Sequence, residues 1–399
     1  MSAPFSPPRL RLFEFTALLA FLSAIVAFAI DAMLPALAEI AADLTPGNVN
    51  RAQLVLTAFM LGMGLGTFFA GPLADAIGRR RTIGWGVGLY ILGAGLGAMA
   101  QSLELMLAAR FLQGIGAAGP RIASMALVRD QYSGREMARV TSFISMIFIL
   151  IPAAAPALGQ LIIGFAGWRG VFVAFILFSG GALVWLYARQ PETLDPARRR
   201  PFRLASLRAG AAEVLGNREV RLYTLVMALG FGQMFALLSS AQQIFAEVYD
   251  ITDAFPRWFA LMALLSGAGT ILNARFVVRL GMRRIVRAAY AMQVVAAALM
   301  LGAIALPGGA GFAAFFLWAV SLFFMAGVTF GNLNALAMQH MGHLAGMTAS
   351  VVMAASTVIA VAIAAPIGLA FDGTPLPVVL GAFLASAAAW VLMGRSREA

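Results

Sequence analysis

The first long apolar run of this chain holds one acid near its far end, in Phe28-Ala29-Ile30-Asp31-Ala32-Met33-Leu34-Pro35. A carboxylate at membrane depth costs roughly 2.5–3.5 kcal/mol to insert. Asp31 is therefore expected to face a polar cavity or a partner, where a carboxyl can take up and release a proton. Arg110, in Arg110-Phe111-Leu112-Gln113-Gly114-Ile115-Gly116, lies at similar depth in another apolar run. A buried arginine keeps its charge and calls for an anionic neighbour. Asp31 is the natural one, directly or through water, so the two predict a proton-coupling pair. Arg121, in Gly119-Pro120-Arg121 of the same run, has three readings. It contacts an anionic substrate group, forms a gating ion pair, or reaches water from a vestibule.

A second group of residues suits a gate. Between two runs sits Gly71-Pro72-Leu73-Ala74-Asp75-Ala76-Ile77-Gly78-Arg79-Arg80-Arg81. Asp75 and the arginines can cluster at two helix ends, with Asp130 joining them. Such a cluster holds one conformation closed and releases it in the other. Gly71 and Gly78 permit a tight turn and close helix approach. The fifth run reads Ile151-Pro152-Ala153-Ala154-Ala155-Pro156-Ala157-Leu158-Gly159-Gln160. Its two prolines and small side chains predict a bendable, closely packed helix. Gly71, Asp75, Gly78, Arg79, Arg80, Asp130, Pro152, Pro156 and Gly159 are the expected gating residues.

A cavity lining is expected from Asp31, Gln113, Arg121 and Met146 of the first half and from Gln233, Met234, Phe235, Gln242 and Asn332 of the second. Met and Phe stripes also serve packing, although pliable Met surfaces suit varied ligands. The second half has no central carboxylate in its apolar runs, so proton chemistry is assigned to the first.

These residues must be carried by membrane-spanning elements. The chain has 399 residues, of which 61% are hydrophobic and 11% charged, whereas soluble domains carry roughly 25% charged residues. Twelve runs are long enough to span, at about 20 residues each. They cover 14–40, 50–71, 82–101, 104–128, 138–164, 169–188, 219–247, 256–278, 285–306, 311–336, 347–370 and 376–394. The first is too long for a signal-peptide core and is read as a retained helix. The net charge is +11 and every basic residue is arginine. Arginines crowd the loops after even-numbered spans, which places those loops and both termini in the cytoplasm. Segment 189–218 is the one sizeable loop. It divides the chain into an N-terminal six-helix bundle, 1–188, and a C-terminal one, 219–399.

Composition also excludes functions. With no cysteine and two histidines, thiol, disulfide and multi-histidine metal chemistry is not expected. Arginines gathered mainly in short loops do not make a nucleic-acid face. No Walker, G-x-S-x-G or zinc signature occurs. The chain is read as a non-enzyme without cofactor or metal.

The loop Gly71 to Arg81 resembles the loop between the second and third helices of major facilitator transporters, G-x-L-a-D-r-x-G-r-r. Ala76 stands where that family usually has a basic residue. Asp31-Ala32-Met33-Leu34-Pro35-Ala36-Leu37, Arg110-Phe111-Leu112-Gln113-Gly114 and Ala126-Leu127-Val128-Arg129-Asp130 resemble the Bcr/CflA-type drug/proton antiporters. The fifth run is similar to the antiporter signature G-P-x-x-G-G, with Ala155 and Gln160 in place of two glycines. The resemblance implies an all-α integral membrane protein of the major facilitator fold, with twelve helices in two pseudo-symmetric six-helix bundles. It implies a bacterial inner-membrane transporter that exports drugs or small amphipathic molecules against protons by alternating access. The expected partners are a small-molecule substrate, the proton and the bilayer, with no nucleic acid, the chain acting as a monomer. A carrier for a specific anionic metabolite or siderophore is an alternative that Arg121 motivates. A non-transporting sensor or assembly factor is a second one.

Overall fold

A chain in lipid must satisfy its own backbone N–H and C=O groups, so the apolar runs fold as helices. The computed structural model describes residues 10–396, apart from the side chains of residues 138, 142 and 145–149. Its helices are α1 (Leu12–Asp31), α2 (Leu37–Leu44), α3 (Leu54–Ile77), α4 (Arg79–Ala98), α5 (Leu103–Gln131), α6 (Gly134–Arg189), α7 (Leu204–Gly216), α8 (Arg218–Gln243), α9 (Phe255–Leu280), α10 (Met282–Ile304), α11 (Phe312–Gln339), α12 (Ala345–Leu369) and α13 (Leu376–Gly394). α6 consists of two arms, because Gly167 takes φ 63° and breaks it. With its arms counted separately and the short α2 and α7 set aside, the described residues form the twelve long helices of two six-helix bundles.

Nine stretches among the described residues are long and apolar enough to cross a membrane. α4 and α5 are as long, but their arginines and glycines dilute the apolar side chains. α4 buries one face and leaves Trp85 and Leu92 exposed on the other, whereas α5 is the more enclosed helix. α5 packs against both α3 and α4, and Arg110 and Gln113 on it are fully buried.

Two elements depart from the sequence expectation. The first span, 14–40, does not run through: α1 ends at Asp31, a turn covers 32–36, and α2 resumes at Leu37. Pro35 lies in that turn and cannot donate the hydrogen bond that a continuous helix needs. Segment 189–218 is not a plain loop either. It contains α7, whose Leu207, Gly210 and Val214 are buried. Their spacing of three and four makes one helical stripe, and that face lies against Met347 of α12.

The bundles meet where α3 runs beside α12 and α6 beside α9. The two ends of this seam differ. One carries the segment between α6 and α8 and is called the linker end below. The other carries the turn after Asp31.

Candidate functional site

Arg110 is held by oxygen, not by a carboxylate. Its Nη2 donates to the carbonyl of Ala29 at 3.0 Å, its Nε to that of Val55 at 3.3 Å and its Nη1 to Gln113 Oε1 at 2.7 Å. The guanidinium also lies 4.4 Å from the Phe59 ring centroid. Carbonyl dipoles and a ring face satisfy a buried cation without neutralising it. Of the two contacts expected between Arg110 and Asp31, direct or through water, the direct one is not made among the described residues. The physical reason is position: Arg110 reaches α1 at Ala29, where a carbonyl is free because α1 ends two residues later.

Asp31 is 5% exposed. Among the described residues its carboxyl has no hydrogen-bond or ion-pair partner. The turn that follows it is clamped from the other side by α6. A Cβ added at Gly159 would overlap the Ala32 carbonyl, so only glycine lets the proline-containing arm of α6 close on this turn. Thus Gly159, expected in a gate, and Asp31, expected in proton coupling, lie at one place.

At the linker end, the loop Asp75 to Arg79 forms the cluster its charges imply. Arg79 Nη1 donates to Asp75 Oδ1 at 2.6 Å, and its Nε donates to Asp130 Oδ2 at 3.0 Å. Gly78 takes φ 103°, a left-handed backbone that suits glycine. The linker completes the cluster, and this was not read from the sequence. Glu192 accepts from the backbone N–H groups of Arg79 (2.9 Å), Arg80 (3.1 Å), Thr193 (3.0 Å) and Leu194 (3.1 Å). It caps the start of α4, where free N–H groups and the helix dipole favour an anion. Thr193 Oγ1 donates to Asp130 Oδ2 at 2.7 Å. The backbone N–H of Arg200 donates to the Asp75 carbonyl at 3.0 Å. A glutamate after a proline, close behind a span, was the available signal.

The opposite end is closed by neutral groups. Gln53 Nε2 donates to Gln243 Oε1 and Gln243 Nε2 to Asn50 Oδ1, both at 2.9 Å. Ser240 Oγ donates to Gln53 Oε1 at 2.9 Å, and Asn50 Nδ2 to the Phe371 carbonyl at 2.7 Å. All four bonds join one bundle to the other. A Cβ at Gly368 would overlap Gln53 Oε1. Pro366 and Gly368 thereby echo Pro156 and Gly159: each glycine lets a proline-bearing helix approach the turn-side end of its neighbour.

The expected lining residues fall into different places. Gln113 supports Arg110. Gln233 is fully buried, accepts from Ser386 Oγ at 2.9 Å and ties α8 to α13. Phe235 is buried and stacks on Phe231, and Gln242 is buried beside the amide clasp. Asn332 Nδ2 donates to Asn273 Oδ1 at 2.7 Å. Asn273 borders a mostly apolar cavity of about 340 Å³ between α9, α10 and α11. Met234 is partly buried and packs against the core. Arg121 is partly exposed, with its Nη1 3.7 Å from Met63 Sδ. Met146 lies outside the described residues.

The model of the Major Facilitator Superfamily matches residues 16–366. The chain belongs to this family. A bicyclomycin resistance protein homolog of Haemophilus influenzae is 32% identical over 282 residues, covering 70% of this chain and 71% of the relative. The multidrug resistance protein MdtL of Salmonella heidelberg is 30% identical over 248 residues, covering 61% of this chain and 60% of its own. Among solved structures, the xylose transporter XylE from E. coli in a partially occluded inward open conformation aligns with a TM-score of 0.74. Its identity is 12%, and the alignment covers 97% of this chain and 100% of that one. At such identity the likeness shows the fold alone. The chain is thus a multi-pass membrane transporter with the major facilitator fold, and not an enzyme. In this family setting, the Asp75–Arg79–Asp130 cluster is the loop that the sequence resembled, now tied to the linker.

Proposed function

We propose that this transporter exports small amphipathic molecules or drugs from the bacterial cytoplasm across the inner membrane, driven by protons. It works as a monomer by alternating access, with the linker and both chain ends cytoplasmic. Arginine crowding at the linker end supports the orientation. The similarity to bicyclomycin and multidrug resistance proteins supports the substrate class.

Asp31 carries the coupling reading. Its carboxyl is enclosed and unpaired among the described residues, at the end of α1 and beside the Gly159 contact. An unpaired buried charge is costly, whereas a neutral acid is tolerated. Asp31 holds a proton while this end is shut and gives it up when the turn opens to water or substrate. Arg110 fixes the end of α1 so that the carboxyl stays in place. Substrate and proton then favour different conformations, which is all that coupling needs. Arg121, Met234 and Asn332 line the substrate path. Gln113 and Gln233 brace it from behind.

The test is uphill transport in proteoliposomes with and without a pH gradient, using a panel of amphipathic drugs. Wild type is expected to concentrate substrate only with the gradient. Asp31→Asn is expected to bind ligand yet lose accumulation. Accumulation by Asp31→Asn at the wild-type rate would move the proton site elsewhere.

A second reading rests on Arg121. Its guanidinium is partly buried and has no carboxylate partner among the described residues. A carrier for an anionic metabolite would use it as counter-ion. Faster transport of anionic than of matched cationic substrates, lost in Arg121→Gln, would favour this reading.

A further inference from the structure

We infer that the linker end carries a binding site for an anionic phospholipid, whose phosphodiester sits among Arg80, Arg81 and Arg199. These three side chains, with Tyr187 and Glu192, line a pocket of about 250 Å³. That volume is below the roughly 300–1,000 Å³ of drug-sized ligand sites, and it suits a headgroup.

The pocket has a surplus of positive charge. Glu192 is its one acid, and that carboxylate is already occupied by four backbone N–H groups. It serves the start of α4 rather than the arginines around it. Among the described residues, the side chains of Arg81 and Arg199 have no hydrogen-bond or ion-pair partner. Arg80 is fixed in place: its Nη2 donates to the Tyr187 carbonyl at 2.7 Å, and its guanidinium lies 4.4 Å from the Tyr187 ring centroid. Its Nε is buried without an acceptor. Phosphate oxygens meet an arginine fork with two donors at once.

The surface beside the pocket says that the phosphate belongs to a lipid. On α4, Arg81, Trp85 and Gly88 follow at steps of four and three, so they share one face. Trp85 is 73% exposed and nothing lies within 4 Å of a Cβ placed on Gly88. On the second arm of α6, Tyr187, Val184 and Gly181 form the matching face. Val184 is 70% exposed and Gly181 is equally open. The two helices are neighbours. Exposed aromatic rings near a helix end mark the membrane interface, and basic pockets between helices at that depth suit anionic headgroups. The headgroup occupies the arginines, and the acyl chains run down the Trp85 and Val184 faces. Because Arg199 and Glu192 belong to the linker, a bound lipid fastens the linker to the gate cluster.

Phosphatidylglycerol and phosphatidylcholine share the phosphodiester, but choline cancels its charge. Native mass spectrometry of the full chain, titrated with each lipid, is expected to show tighter binding of phosphatidylglycerol. An Arg is worth about fivefold near an anionic lipid, so Arg81→Gln with Arg199→Gln is expected to lose roughly 25-fold in affinity. Arg135→Gln with Arg139→Gln removes equal charge away from the pocket and is expected to bind as wild type. Equal affinity of wild type for the two lipids would overturn the site, whatever the variants do. So would equal losses in both double variants, or no loss in either. Inorganic phosphate that displaces phosphatidylglycerol at matched concentration would assign the pocket to free phosphate and overturn the lipid.

Discussion

Arg110 Nη2 donates to the carbonyl of Ala29 at 3.0 Å, two residues before Asp31. The arginine thus grips the helix that carries the acid and leaves the acid itself unpaired among the described residues. A grip of this kind transmits position rather than charge. It makes Arg110 a support whose loss is expected to be felt first in folding.

Arg110→Lys keeps the charge but cannot reach Ala29, Val55 and Gln113 together. Stranding buried acceptors is expected to cost about 2–3 kcal/mol. The check is the fraction of monodisperse protein left after heating in detergent. A wild-type melting profile for Arg110→Lys would contradict the supporting role.

The amide clasp is expected to set how often the end opposite the linker opens. Gln53→Ala removes its bonds to Gln243 and Ser240, each worth about 1 kcal/mol. The open population is expected to rise about 10- to 30-fold. The chain has no cysteine, so spin labels at Asn48→Cys and Thr374→Cys give a clean distance across this end. An unchanged distance distribution in Gln53→Ala would show that other contacts hold it shut.

Two changes address the linker-end cluster. Glu192→Ala leaves the start of α4 uncapped, at a cost of about 1–2 kcal/mol. The linker is expected to detach more often, and trypsin to cut near Arg198, Arg199 and Arg200 about tenfold faster. Asp75→Asn weakens the hold on Arg79 and is expected to alter the transport rate in vesicles at matched expression. Wild-type cutting in the first and wild-type turnover in the second would reduce the cluster to a topology signal.

At the turn between the arms of α6, Arg169 Nη1 donates to Asp43 Oδ2 at 2.9 Å and Trp168 Nε1 at 3.2 Å. The Arg169 hydrogen bond, followed by that of Trp168, holds the Asp43 carboxyl below its ordinary value. A depressed acid stabilises the fold above its unfolded value, about pH 4, and loses that contribution as pH falls through the folded value. Thermal stability is therefore expected to drop as pH falls below about 4, and to drop less in Asp43→Asn, measured by scanning fluorimetry. Parallel pH curves for the two proteins would remove Asp43 from the account.

The sequence by itself determined the class and the plan of this protein. Composition forces the chain into lipid, and lipid forces helices, because no water is present to satisfy the backbone. The loop from Gly71 to Arg81 was legible for the same kind of reason. Its chemistry lies in side chains three to five residues apart, and such spacing survives into the fold. Arg79 meets Asp75 because they are four residues apart across the tight turn at Gly78.

Tertiary structure decided who partners whom across distance. Arg110 and Asp31 looked like a pair because opposite charges at one depth attract, yet the arginine settled on carbonyls that the end of α1 leaves free. Backbone acceptors have no letter in the sequence. The amide clasp was invisible for a related reason, since Asn50, Gln53 and Gln243 are unremarkable near helix ends until two bundles bring them within 2.9 Å. Glu192 had no role in the sequence reading, because only the folded linker brings it back across 113 residues to the start of α4. Each of these bonds depends on how helices far apart in the chain pack, and that geometry exists only once both bundles have formed.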